Sequence, residues 1–270
     1  MYLPRIIENR VRKTLKEKSV LLLGPRQTGK STFLKHAFGD KAVYYNLLHN
    51  DVFTRFSRDP SQMRRELINN KKIVIIDEIQ KIPTLLDEVH ALIEEKQIRF
   101  LLTGSSARKL RKAGVNLLGG RARTIYFHPF CFAESGNNYD LLKVANYGCL
   151  PSIYFSENPD DALKDYTGTY LKEEIWSEGL TRNLGAFGRF LEVAGQMNGQ
   201  LINYSAVASD AQLPQTTVKN YFGILYDTLL GYELTAWTKS INRKSIETAK
   251  FYFFDSGVAR NLQNRSKCSL

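Results

Sequence analysis

Between an apolar run at residues 20–23 and a helical pattern at residues 30–38 stands the octapeptide Gly24-Pro25-Arg26-Gln27-Thr28-Gly29-Lys30-Ser31. It fits G-x-x-x-x-G-K-[ST], and each residue type in it has a physical task. The glycines let the backbone curl until several N–H groups point at one anion, and the following helix adds its positive N-terminus. Lys30 is placed to bridge the β- and γ-phosphates of a nucleotide, and the Ser31 hydroxyl to help hold Mg²⁺. The expected cradle is therefore Gly24, Pro25, Arg26, Gln27, Thr28, Gly29, Lys30, Ser31 and the adjoining Thr32. The bland alternative, a glycine turn with a surface lysine, is disfavoured by the strand directly before it and the helix directly after.

A second motif, Lys72-Ile73-Val74-Ile75-Ile76-Asp77-Glu78, places Asp77 47 residues beyond Lys30. Adjacent carboxylates ending a buried apolar strand need a cation or water to face. Asp77 is read as the Mg²⁺ ligand, directly or through water. Glu78, on the alternate side, is read as the group that orients and deprotonates an attacking water. The next strand, Arg99-Phe100-Leu101-Leu102-Thr103-Gly104-Ser105-Ser106, ends in hydroxyls. Thr103 and Ser105 are candidates to sense the γ-phosphate or hold the water, with Ser106 third. Arg121, ahead of a fifth strand, is the candidate arginine finger, received by a neighbouring subunit. Arg26, inside the loop, can reach the phosphates in cis, and Arg123 is a weaker candidate; the other reading of each is a solvated surface arginine.

Strand patterns at 20–24, 42–47, 72–79, 99–103 and 123–127 alternate with helical ones at 30–38, 60–70 and 84–95. Near-continuous Val/Ile/Leu strands between helices imply a parallel sheet buried on both faces. The expected fold class is α/β, a parallel sheet with helices on both faces and its ligand crevice at the carboxyl ends of the strands. The texture changes after Pro129. Helices are expected at 160–178, 184–197, 205–211 and 215–230, then strands at 232–237 and 250–254, the outline of a winged helix. The expected domains are 1–135 (P-loop ATPase), 136–200 (helical linker or lid) and 201–270 (winged-helix-like).

Charge separates the halves. Residues 1–135 hold 25 Lys and Arg against 13 Asp and Glu, whereas 136–270 hold 13 against 14. An anionic partner and a surface kept basic for solubility both fit this excess. With 43% apolar and 24% charged residues the chain has the material for a core, which excludes a disordered protein. No apolar run approaches the roughly 18 residues of a membrane span. The basic N-terminus lacks the apolar stretch of a secretory signal. Three widely spaced cysteines, Cys131, Cys149 and Cys268, fit neither a disulfide scaffold nor a zinc finger, and a cytoplasmic location is expected.

Taken together, GPRQTGKST, IVIIDEIQKIP, FLLTGSSARKL and GRARTIYFHPF resemble the prokaryotic AAA+ superfamily ATPases of the archaeal-ATPase type. The later YLKEEIW, residues 203–230 and FYFFDSGVARNL are similar to the second part of such proteins, where the family places a winged helix. The resemblance covers nearly the whole chain. It implies Lys30 and Ser31 in the phosphate loop, Asp77 and Glu78 as magnesium and catalytic acids, sensor chemistry at 103–106, and Gly120-Arg121 as the family's glycine-arginine pair. Relatives usually continue past the FFDSG stretch into a nuclease-like module, so either a short or truncated member is expected here or that piece is not needed.

The reading is then a Mg-dependent ATPase that converts ATP to ADP and phosphate and moves its C-terminal region. A nucleotide-gated switch or a DNA- or protein-binding regulator with little turnover is the alternative. No guanine-reading N-K-x-D appears, which favours ATP. A homo-oligomer suits a finger acting in trans. Gln215, Thr216, Thr217, Lys219 and Asn220 suit DNA contact, and the stretch 239–244 adds three cations. Against this, residues 200–250 carry five basic and four acidic side chains, which argues for low intrinsic affinity.

Overall fold

Three apolar strands dictate the first half of the chain. β1 (Ser19–Leu23) and β4 (Phe100–Gly104) are buried at every residue, and β3 (Ile73–Asp77) at all but its first. Strands without an outward polar face must lie inside a sheet covered on both sides. A computed structural model of the chain describes residues 2–70, 72–105, 118–170, 175, 183–237 and 248–269, and it forms two units, Met1–Ser135 and Gly136–Leu270.

In the first unit, β2 (Ala42–Asn46) and β5 (Ala122–Tyr126) close the edges, giving the parallel order β2-β3-β4-β1-β5. Edge strand β5 accordingly carries exposed Arg123 and Thr124 and buries Ile125. α1 (Ile7–Glu17) and α2 (Lys30–Phe38) pack Val11, Leu15, Phe33 and Leu34 onto Val20, Leu22 and Ile75. The decisive feature is β4 inserted between β1 and β3. Leu22 pairs with Thr103 and Ile76 with Leu102, so the carboxyl ends of all three strands stand side by side.

One local expectation is corrected. In place of a helix over 60–70, the chain forms α3 (Asn50–Arg58) and α4 (Gln62–Glu66), followed later by α5 (Leu85–Lys96). The break comes at Asp59 and Pro60. Asp59 turns its carboxylate onto the Ser61 backbone N–H at 3.1 Å, competing with helix continuation, while Pro60 lacks the N–H a helix needs.

The second unit begins with short helices: α7 (Leu141–Tyr147), α8 (Pro151–Tyr154) and α9 (Pro159–Asp165), preceded in the first unit by the single turn α6 (Phe132–Ser135). The long helix expected over 160–178 keeps α-geometry only to Asp165 and widens to a π-turn at Tyr166–Tyr170; its remainder, Ile175 apart, lies outside the described residues. Next come α10 (Leu184–Gln196), α11 (Tyr204–Ala211), α12 (Gln215–Asp227), the antiparallel pair β6 (Gly231–Leu234) and β7 (Lys250–Phe253), and α13 (Ser256–Leu262). An extra bridge sets Leu201 against Lys250. Phe222 is the hub of the core, with its ring 5.0 Å from Phe190 and 5.1 Å from Phe251, both edge-on as aromatic quadrupoles prefer.

Asp255 locks the start of this unit to its end. Its buried carboxylate accepts the Cys149 N–H at 2.7 Å and caps α13 through the Val258 N–H at 3.1 Å. The approach is so close that a Cβ on Gly148 would fall 1.8 Å from Asp255 Oδ1, and one on Gly257 2.2 Å from the Tyr147 carbonyl carbon. Burial pushes the Asp255 carboxyl up to about 6 against these N–H donors. A carboxyl raised above its unfolded value stabilises the fold fully at low pH and loses that contribution as pH climbs through the folded value. Wild type is therefore expected to lose stability between about pH 4 and pH 6. In Asp255→Asn that slope should be absent, even though the amide lowers stability overall. Urea unfolding followed by tryptophan fluorescence checks this, since both tryptophans (176 and 237) belong to the second unit.

Candidate functional site

Two left-handed residues shape the loop after β1. Gly29 (φ 92°) is free to adopt that conformation, and Gln27 (φ 62°) adopts it at a cost. Between them Thr28 folds inward, its hydroxyl donating to the Pro25 carbonyl at 2.8 Å. Lys30 opens α2 and is buried, its ammonium donating to the Gly24 and Pro25 carbonyls at 2.7 and 2.9 Å. The loop thus holds its own lysine at its centre, where an anion wrapped by the loop meets it. Arg26, Ser31 and Gly29 are half-buried, and Gln27 and Thr32 exposed. Gly24 is fixed from outside the loop: a Cβ there would sit 2.1 Å from the Phe127 carbonyl oxygen, at the end of β5.

Arg5 braces the loop from behind. Its guanidinium donates to the Thr28 carbonyl at 2.9 Å and to the His128 carbonyl at 2.6 Å, pairs with Glu134 at 3.0 Å, and lies 4.2 Å from the centre of the Phe127 ring. The Arg5 and Glu134 side chains are almost wholly buried, so removing one leaves a buried charge unmatched. Alongside, a cavity of about 610 Å³ opens between α1 and β5, with a largely apolar lining that includes Ile6, Ile7, Tyr126, Phe127 and Pro129. His128 also lines it, and burial followed by the nearby Arg5 charge depresses its imidazole, favouring the neutral ring.

At the end of β3 the two acids part company. Glu78 is left-handed (φ 65°), which turns its side chain away from that of Asp77. The Asp77 carboxylate accepts the Thr103 hydroxyl on one oxygen and the Tyr44 hydroxyl, at 2.6 Å, on the other. Thr103 also accepts the Glu78 backbone N–H at 3.1 Å, so a single hydroxyl holds both acids in place. Glu78 receives the amide of Gln80, which in turn donates to the Ser105 hydroxyl at 2.9 Å. Asp77, Glu78, Gln80, Thr103 and Ser105 are all buried, and the Gln80 carbonyl oxygen has no partner among the described residues. Burial, then the hydrogen bond to Asp77, drive the Tyr44 hydroxyl far above the usual range and keep it protonated.

The residues expected at 77, 78, 103 and 105 thus share one hydrogen-bond network beside the loop. Arg121 does not join them. It stands at the start of β5, five residues or roughly 16 Å of strand from the end that adjoins the loop, ion-paired to Glu94 on the surface. Ser106 and the stretch 239–244 lie outside the described residues. Three partners were not foreseen: Arg5, Tyr44 and Gln80. Gln80 alone left a trace in the sequence, as a polar residue between the buried Ile79 and Ile82.

Comparison with known proteins supports this picture. A family described as an AAA domain matches residues 16–136, and a domain of unknown function matches 138–269. An uncharacterized protein of Mycobacterium tuberculosis is 27% identical over 248 residues, 90% of this chain and 55% of that protein. An uncharacterized protein of Haemophilus influenzae is 21% identical, covering 89% of this chain and 68% of its own length. The chain spans about half the length of the mycobacterial relative. Among solved structures, a Walker-type ATPase of Pyrococcus abyssi superposes with a TM-score of 0.63 at 15% identity, over 97% of this chain and 96% of that one, a likeness of fold.

Thr103→Val keeps the side-chain shape and removes both hydrogen bonds. It leaves an Asp77 oxygen and the Glu78 N–H bare in a buried site, which should cost about 1–3 kcal/mol. Urea denaturation of the variant tests this, and unchanged stability would mean Thr103 does not brace the two acids.

Proposed function

Because residues 16–136 form an AAA domain with the AAA+ P-loop fold, we propose that the chain is a Mg-dependent ATPase that hydrolyses ATP to ADP and phosphate. The observation that carries the reading is the divergence of the two acids. Asp77 and Glu78 are adjacent in sequence, yet one is tied to Tyr44 and Thr103 and the other to Ser105 through Gln80. A protein that only holds a nucleotide has no use for the second.

The side chains of Ser31 and Asp77 offer only oxygens, one hydroxyl and one carboxylate, which fits Mg²⁺ completed by phosphate and water. Ser31 and Asp77 would hold the ion, which when bound neutralises phosphate oxygens. The remaining work falls to the chain itself. Lys30 exchanges its two carbonyl partners for β- and γ-phosphate oxygens. Glu78 takes a proton from the water that attacks the γ-phosphorus, while the β–γ bridging oxygen departs with the bonding electrons as ADP. Thr103 keeps the base in register, and Ser105 lies where γ-phosphate is sensed. The apolar cavity beside Arg5 takes the purine. Arg121, remote from its own loop, serves a neighbouring copy's nucleotide. In the second unit α11, α12 and the β6–β7 pair form a winged helix, whose exposed Gln215, Thr216, Lys219 and Asn220 contact DNA phosphates and base edges.

A gated version of this reading has its own support, because a carboxylate oxygen of Glu78 is held by the Gln80 amide. Turnover then stays slow until that hydrogen bond opens, and Gln80→Ala should raise the basal rate. An unchanged rate leaves constitutive hydrolysis as the better description.

The first experiment measures phosphate release from Mg-ATP, with and without duplex DNA. Glu78→Gln should lower turnover by about 10²–10⁴-fold, the usual contribution of a positioned base, with ATP binding retained. Lys30→Ala should lose ATP binding in a calorimetric titration, and wild-type affinity in that variant would remove the foundation of the proposal. In mixtures of the two, Arg121→Ala subunits should donate functional loops but no finger, so Arg121→Ala alone should be slow and Lys30→Ala should partly rescue it.

A further inference from the structure

Of the groups around the phosphate loop, the Tyr44 hydroxyl has the most unusual position. Tyr44 sits in the middle of β2, the edge strand farthest from the loop, and pairs with Ile75 in the ladder. Its side chain nevertheless reaches the end of β3 and donates to Asp77 Oδ2 at 2.6 Å. The phenol is the donor in this bond and the Asp77 oxygen the acceptor.

This bond matters for a cation. A carboxylate ligates Mg²⁺ through oxygen lone pairs, so its orientation decides where those lone pairs point. Asp77 has one oxygen braced by Tyr44 and the other by Thr103, which limits the rotation of the carboxylate. Hydrogen-bonded partners behind metal ligands set their orientation and basicity.

We propose that Tyr44 is a positioning residue for the divalent cation, its one phenolic hydroxyl holding the Asp77 carboxylate in the orientation that ligates the ion. The proposal rests on the ATPase reading of this site and adds a residue that no phosphate-loop motif contains. Tyr44 touches neither nucleotide nor the reacting atoms, so its effect belongs to metal dependence rather than to nucleotide affinity as such.

The test compares wild type with Tyr44→Phe, which keeps the ring and deletes the hydroxyl. ATP binding by the full chain is titrated calorimetrically, once in excess EDTA and then at rising Mg²⁺. The EDTA affinities are expected to agree, while the Mg²⁺ concentration giving half of the metal-dependent gain rises about tenfold in the variant, the low end of what such partners contribute. Mn²⁺ bound with ADP gives a second readout by electron paramagnetic resonance, where the variant should hold the ion more loosely. Superimposable Mg²⁺ curves would overturn the proposal. So would a lower Mg²⁺ requirement in Tyr44→Phe, because the hydroxyl would then be competing with the ion. A double-mutant cycle tests the route: losses from Tyr44→Phe and Asp77→Asn should be less than additive, and strict additivity would cut the link through Asp77. Thermal unfolding of each variant separates a loosened fold from a loosened ion. A wild type with no metal-dependent gain at all would instead sink the ATPase reading, and this inference with it.

Discussion

A single hydroxyl, that of Thr103, decides what the end of β3 can do. It gives its proton to Asp77 and takes one from the Glu78 backbone, so both acids are anchored to β4. The arrangement needs β4 between β1 and β3, since only then does the end of β4 face the loop on one side and the acids on the other. Strand order is therefore part of the site. With β1 and β3 as direct neighbours, no residue would stand where Thr103 does, and the strained left-handed backbone at Glu78 would lose its brace.

Motif chemistry and apolar periodicity made much of the first unit readable. The strands were legible to within a residue or two at most ends, because buried parallel strands are written as unbroken runs of Val, Ile and Leu. The span 30–38 emerged as α2 without adjustment, a helix beginning at the loop lysine. The helix around 60–70 was misjudged because its basic, polar pattern gave no hint of how Asp59 would turn. In the second unit α7, α8 and α13 were not anticipated. Each is seven residues or fewer, too short for a 3.6-residue period to declare itself.

The less legible part of the site consists of residues that act at a distance along the chain. Arg5 is 23 positions from Thr28 and 123 from His128, and Tyr44 is 33 from Asp77. Linear spacing carries no record of such contacts, which arise from sheet register and from where α1 begins. Both are long side chains whose tips work far from their own backbone. A motif reports groups that face the ligand; those that stand behind it become visible only with the fold.

Gly24 illustrates a last point about descent. The carbonyl of Phe127 presses so near that any larger residue at position 24 would displace the end of β5. Packing alone would preserve this glycine in a descendant that had abandoned nucleotides altogether. Lys30 is held differently, by carbonyls of the very loop it serves, and a chain with no anion to bind could trade it for an apolar residue of similar length. Among degenerate copies of such a chain, the glycine is a fossil of architecture, and the lysine is the better witness to a living site.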